Sequence, residues 1–271
     1  MFGYSIAFLI AAAIGMISSI IGLGGGFLYV PTLTLIFGFD QKMAVGTSLA
    51  VMVFSSFAAT LCYHRQGKIL YSAAALLVVP AIIFSAVGSA ITPYIDARIL
   101  VIFFVIVLLI LSLQMICPHL RIVRKIGGGA FVEVAARQSG DRDERIRLPY
   151  LHLIVWGAMG GLISGTTGIS GGVLFVPALV TTGLPVHYAV ATSLFAIILS
   201  SLSGATTHAV LGDVSLPYVA VYGAGAAIGA YAGAYVAPRF HASQIRKFFA
   251  IMLFFIALLM IQQKVLGGFN P

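Results

Sequence analysis

The amino-acid sequence predicts an all-α polytopic membrane protein made of two inverted repeats. Each repeat is expected to hold a glycine-tipped re-entrant helical hairpin plus three transmembrane helices. Three observations lead there. First, 61% of the 271 residues are hydrophobic and 8% are charged. A soluble domain carries about 25% charged residues, so the solvent of this chain is a bilayer. Second, one stretch occurs twice, 146 positions apart: Gly22 to Leu33 reads GLGGGFLYVPTL and Gly168 to Leu179 reads GISGGVLFVPAL. Third, the basic residues of the loops are unevenly shared between the two sides of any spanning arrangement.

The elements follow in order. Met1 to Ile21 is an apolar helix that stops at glycines. It carries no Lys or Arg and no small-residue cleavage site, so it reads as part of the fold and not as a signal peptide. Phe27 to Phe37 is an apolar arm of 11 residues. A full crossing needs about 20, so this arm cannot span alone. Met43 to Tyr63, Leu70 to Thr92 and Ile99 to Ile116 are long enough to span, and Pro80 predicts a kink in the second of them. The pattern then restarts. Leu151 to Thr167 is apolar, Gly168 to Gly172 breaks it, and Val173 to Thr182 is a second short arm. Tyr188 to Val210, Leu216 to Val236 and Gln244 to Ile261 complete the second set of spans. The organisation is therefore a first repeat over 1–117, a charged linker over 118–150 and a second repeat over 151–271.

The duplication extends past the glycines at an offset of 145. Ala44-Val45-Gly46-Thr47-Ser48-Leu49 matches Ala189-Val190-Ala191-Thr192-Ser193-Leu194, and Ser55-Ser56 matches Ser200-Ser201. Gly88 matches Gly233, and Pro93 matches Pro238. Internal duplication is a common construction of secondary transporters.

The net charge of +8 is concentrated: the linker holds 7 of the 15 basic residues and 4 of the 7 acidic ones. A basic block beside spans marks a cytoplasmic loop and not a nucleic-acid site. If the glycine segments are re-entrant, 12 basic residues fall inside and 3 outside; if they cross, the division is 10 and 5. The stronger inside excess favours inverted halves, whose glycine tips enter from opposite faces and meet near the midplane.

Irregular backbone is tolerated at membrane depth where it lines a cavity or is buried in protein. Each glycine tip precedes a short helix, whose N-terminus presents unpaired amides and a partial positive charge. The candidate anion-binding residues are Gly24, Gly25, Gly26 and Phe27 in the first tip and Ser170, Gly171, Gly172 and Val173 in the second. Thr47, Ser48, Thr192 and Ser193 could add hydroxyl donors. A plainer account exists, since small residues also serve membrane helix packing. All seven carboxylates lie in or beside loops, so proton coupling cannot use a carboxylate at mid-span. His208, with His64 and Arg65 near the matching place of the first half, is the candidate proton or anion relay. The two cysteines, Cys62 and Cys117, suggest neither a disulfide framework nor a metal site, and no cofactor motif is present.

The paired segments ending Val30-Pro31 and Val176-Pro177, each followed by Gly46-Thr47-Ser48 or Ala191-Thr192-Ser193, resemble the sulfite exporter TauE/SafE family. The similarity covers nearly the whole chain. It implies a multi-pass transporter of a prokaryotic cytoplasmic membrane that moves sulfite or organosulfonates, generally outward, and is not an enzyme. The expected partners are a small anion and lipid; protons and a homodimer stay open. Ser170 stands where the first copy has Gly24, so the tips are not equivalent. An alternative is an intramembrane serine protease using Ser170 and His208, because Gly168-Ile169-Ser170-Gly171 matches a nucleophile pattern. Another is a non-transporting sensor or scaffold that uses the linker.

Overall fold

The computed structural model describes residues 2–116, 131–137, 143–239, 254–255, 257–258 and 260–262. The span expected at 244–261 lies mostly outside the described residues, as do Cys117, Arg121, Arg124, Lys125 and Arg142 of the linker region. The helices of the first half are α1 (Phe2–Ile21), α2 (Gly26–Leu35), α3 (Gln41–Arg65), α4 (Tyr71–Ile91) and α5 (Ala97–Ile116). Those of the second half are α6 (Tyr150–Thr167), α7 (Gly172–Thr181), α8 (Val186–Val210) and α9 (Leu216–Val236). Among the described residues, five stretches are long and apolar enough to cross a membrane: Tyr4–Ile21, Gln41–Arg65, Tyr71–Tyr94, Val186–Val210 and Leu216–Arg239. The chain is thus a multi-pass helical membrane protein. α4 runs through Pro80 without a break.

The linker is not wholly irregular. Strands β1 (Phe131–Arg137) and β2 (Asp143–Pro149) pair antiparallel, with Val132 opposite Leu148 and Glu133 opposite Arg147. The signal was present as alternation in F-V-E-V, but the charge of the segment drew the reading towards a plain linker.

Local chemistry sets the helix ends. Asp40 caps α3 by accepting hydrogen bonds from the Lys42 and Met43 amides at 3.2 and 3.3 Å. α1 stops because Gly22, Gly24 and Gly25 take left-handed φ of 82°, 72° and 95°, which glycine adopts without steric penalty. α6 stops at Gly168 for the same reason, with φ 70°.

The halves interlock. α1 packs on α9 and α6 packs on α4. Gly225, Gly229 and Gly233 of α9 meet the carbonyls of Phe8, Ala12 and Met16 in α1. Gly157, Gly161 and Gly165 of α6 meet Leu77, Ala81 and Ser85 in α4. Small residues at four-residue spacing let the helix backbones touch, the usual device where lipid offers no hydrophobic drive. Each first helix therefore packs on the fourth helix of the opposite half.

The outer ends of α1 and α2 share an aromatic neighbour in α9, and those of α6 and α7 are joined directly. Tyr4 at the start of α1 and Phe37 just past α2 both pack against Tyr218, with ring centroids 5.6 and 5.3 Å away. His152 near the start of α6 hydrogen-bonds through Nε2 with Ala178 O and Thr181 Oγ1 in α7, both at 3.1 Å.

Candidate functional site

The two glycine tips touch. A Cβ built at Gly24 would lie 2.7 Å from Ser170 Oγ and 3.1 Å from Ile197. One built at Gly172 would lie 2.6 Å from both Gly22 O and Ile197. One built at Gly26 would strike Gly168 O and come within 2.8 Å of Met52 Sδ. Met52 and Ile197, 145 positions apart, each lie one residue before the centre of the 25-residue helices α3 and α8. The tips therefore stack between the middles of these two helices. Residues 22–31 and 164–175 are all buried.

The amides of the tips divide into engaged and free. Gly172 N donates to Ser170 Oγ at 3.1 Å and Val173 N to Ser170 O at 3.3 Å. Those two expected ligands thus serve the start of α7. Among the described residues, the N–H groups of Gly24, Gly25, Gly26, Ser170 and Gly171 donate no hydrogen bond. A buried donor left unmet costs about 1–3 kcal/mol. Five of them lie at the N-termini of two short helices, where the helix dipole adds partial positive charge. Phe27 is fully buried beside them.

The four expected hydroxyl donors act as braces between the halves. Ser48 Oγ donates to Gly168 O at 3.2 Å, and Ser193 Oγ donates to Gly22 O at 2.9 Å. Thr47 Oγ1 accepts from Ser215 N and Thr192 Oγ1 from Leu70 N, both at 3.1 Å. Each bond has its counterpart in the other half at the register of the repeat. Ser48 and Ser193 hold the tips in place; their protons are committed to those carbonyls.

The relay candidates separate. His208 is fully buried; its Nε2 lies 3.1 Å from Gly165 O, and its Nδ1 lies 3.5 Å from Asp213 Oδ2. Asp213 is partly exposed at the end of α8. Gly46 packs against both residues. The place matching His208 in the first half is Tyr63, whose hydroxyl donates to Ser19 O at 3.1 Å, and not His64 or Arg65. Those two are exposed at the end of α3, where His64 Nδ1 meets Tyr71 Oη at 2.7 Å and Arg65 Nη1 donates to Tyr231 Oη at 3.1 Å. Arg65 stands 13 residues beyond Met52, about 20 Å along the helix. His208 likewise lies 11 residues beyond Ile197, about 16 Å along α8, although its ring reaches Gly165, three residues before the Gly168 break. Among the described residues no hydrogen bond joins Ser170 to His208, the contact that the protease reading calls for. Nor do three His, Cys, Asp or Glu side chains gather anywhere among the described residues.

Three residues escaped the sequence reading of the site. Asp213 follows His208 across the Gly212 turn. Ser55 donates to Gly24 O at 3.3 Å. Tyr29 is fully buried with its hydroxyl unpartnered. The available signal for Tyr29 was its replacement by Phe175 in the second copy.

Comparison with known proteins agrees with this architecture. The sulfite exporter TauE/SafE description matches residues 7–260. The probable membrane transporter protein YunE of Bacillus subtilis is 28% identical over 266 residues, covering 93% of this chain and 94% of the relative. A probable membrane transporter protein of Methanocaldococcus jannaschii is 31% identical over 201 residues, covering 72% and 68%. The YdhB protein of B. subtilis, also described as a probable membrane transporter, is 26% identical over 227 residues, covering 83% and 87%. No solved structure matches the chain. With a match from residue 7 to residue 260 and relatives described as probable membrane transporters aligned over two thirds or more of their lengths, the chain belongs to the sulfite exporter TauE/SafE family of membrane transporters.

Proposed function

We propose that the protein is a secondary carrier or facilitator that exports a small sulfur-containing oxyanion, sulfite or an organosulfonate, across a prokaryotic cytoplasmic membrane. One observation carries this reading: five unpaired amides at two touching helix N-termini, buried midway along α3 and α8. Nothing in an apolar bundle stabilises such donors except an anion or water. The tips contain no Lys or Arg. A neutral cradle favours a singly charged anion, because the cost of stripping water from an ion rises steeply with its charge.

The halves are read as inverted repeats whose hairpins are re-entrant. Support comes from the outer ends of α1 and α2, which share Tyr218, and from those of α6 and α7, which His152 joins. It comes also from the reciprocal bonds of Ser48 with Gly168 and Ser193 with Gly22. The repeat boundaries remain 1–117 and 151–271, and the linker 118–150 lies in the cytoplasm. In this structure the tips are buried, which suits the occluded stage of alternating access. The His208–Asp213 pair is the proposed proton relay, and its partly exposed carboxylate offers the proton a way in.

Purified protein in liposomes tests the reading through sulfite flux, with and without an imposed pH gradient and with sulfonates as competitors. Saturable flux that sulfonates inhibit is expected. Absence of flux for every sulfur oxyanion tried overturns it.

A further inference from the structure

We infer that the Tyr29 hydroxyl donates directly to the transported oxyanion, so that the first glycine tip holds the ligand and the second closes over it. The inference rests on the proposed anion carrier and adds a residue and an asymmetry to it.

Tyr29 sits in the first turn of α2, and its side chain leans back over the tip, as helical side chains do. A Cβ built at Gly25 would lie 2.6 Å from the Tyr29 Cε2, 2.8 Å from its Cζ and 3.1 Å from Ser18 Oγ. The hydroxyl end of the ring is therefore next to the free amides of Gly24, Gly25 and Gly26. The hydroxyl is wholly buried and has no partner. Its neighbours cannot take over its role as donor. Ser18 Oγ donates to Gly15 O at 3.1 Å, and Ser55 Oγ donates to Gly24 O and Met52 O, both at 3.3 Å. The ring of Tyr222 meets the Tyr29 ring edge-on at 5.9 Å, but its own hydroxyl donates to Thr32 Oγ1 at 2.9 Å. The protons of Ser18, Ser55 and Tyr222 are thus committed to other oxygens, and the Tyr29 hydroxyl, which makes no hydrogen bond of its own and has the Ser18 and Ser55 oxygens near it, is the side-chain donor beside three unused amides that can turn to an anion.

The second tip differs at the same place. Phe175, 146 positions on, lies over Gly171, with its Cζ 2.5 Å from a built Cβ. Gly160 O stands 3.1 Å from that point and would repel an anion. Ser170 Oγ accepts from Gly172 N at 3.1 Å. Ser164 Oγ, the counterpart of Ser18, is buried and unpartnered, but the three atoms nearest a Cβ built at Gly171 are two of the Phe175 ring and Gly160 O. Phe175 also shows that the fold accepts a ring without a hydroxyl here. Packing therefore does not require the Tyr29 oxygen.

The test compares wild type, Tyr29→Phe and Phe175→Tyr in liposomes, reading sulfite flux against sulfite concentration. It also measures the thermal midpoint of each protein with and without sulfite. Tyr29→Phe is expected to raise the KM for sulfite about tenfold or more, the value of a hydrogen bond to a charged group. Its midpoint without sulfite should equal or exceed that of wild type, because an unmet polar group has been removed. A merely structural tyrosine would lower that midpoint. Phe175→Tyr should leave the KM within about threefold, since the Gly160 carbonyl beside the ring offers its new hydroxyl an acceptor and repels an anion. Wild-type flux with an unchanged KM in Tyr29→Phe overturns the role of Tyr29 and leaves the carrier reading standing. No sulfite flux in wild type overturns both.

Discussion

Gly24→Ala puts the contact between the tips to a quantitative test. Two costs arise there, and they have different origins. Gly24 has φ 72°, and an alanine in that region costs about 1–2 kcal/mol wherever it sits. The added Cβ would also stand 2.7 Å from Ser170 Oγ and 3.1 Å from Ser170 Cβ. Relaxed contact needs about 3.5 Å, so the tips must part by about 0.8 Å, for a further cost of about 1–3 kcal/mol. Only the second cost depends on Ser170. Ser170→Gly alone removes the acceptor for Gly172 N and should cost roughly a few tenths of a kcal/mol. Gly24→Ala combined with Ser170→Gly should therefore be less destabilised than the sum of the single variants by about 1–2 kcal/mol. For a chain of this size that is a discrepancy of about 2–4 °C in thermal midpoint, measured in detergent for all four proteins. Strict additivity would refute the contact between the tips, and with it the shared site. Partial recovery of sulfite flux in the double variant would link the same contact to transport.

Further predictions follow from the braces, the relay and the linker. Ser48→Ala and Ser193→Ala each leave one carbonyl short of a donor, at Gly168 and Gly22. Both should lower the thermal midpoint by similar amounts, equivalent to about 1 kcal/mol; a large effect from one and none from the other would break the equivalence of the halves. His208→Tyr copies the first half, where Tyr63 makes the matching bond to Ser19 O. The variant should fold and move sulfite but lose its response to an imposed pH gradient, and an unchanged response would remove His208 from the coupling. Replacing residues 118–147 with a flexible Gly/Ser segment, which keeps the buried Leu148, should leave flux within about twofold, because loop length carries only a weak entropic cost. Loss of flux with the protein intact would favour the sensor or scaffold reading.

Much of this architecture was legible because the chain carries its own comparison. The second glycine segment confirmed the first as a break, and the 145-residue register located α3 and α8 before any coordinates. The same register, read one residue more strictly, pairs His208 with Tyr63; the chemistry of histidine drew the eye to His64 instead. The roles of Thr47, Ser48, Thr192 and Ser193 were not legible. Their partners lie 120 to 171 positions away, and a hydroxyl beside a site looks the same in sequence whether it binds substrate or a neighbouring carbonyl. Tyr29 was hidden for a related reason. An aromatic residue in a short apolar arm reads as packing until the environment of its oxygen is known.

The exchange of first helices has a consequence for how such a chain could arise and be taken apart. Because α1 lies on α9 and α6 on α4, half of the molecule synthesised alone would expose a strip of glycines and carbonyls to lipid, with nothing to cover it. Two copies of that half, inserted in opposite orientations, would cover each other by the same contacts. On the proposed inverted arrangement, a single-repeat ancestor would have worked as an antiparallel pair, and gene fusion would only have fixed a partnership already present. The modern chain, cut within its linker and expressed as two pieces, should reassemble by swapping α1 and α6, and neither piece should be stable alone.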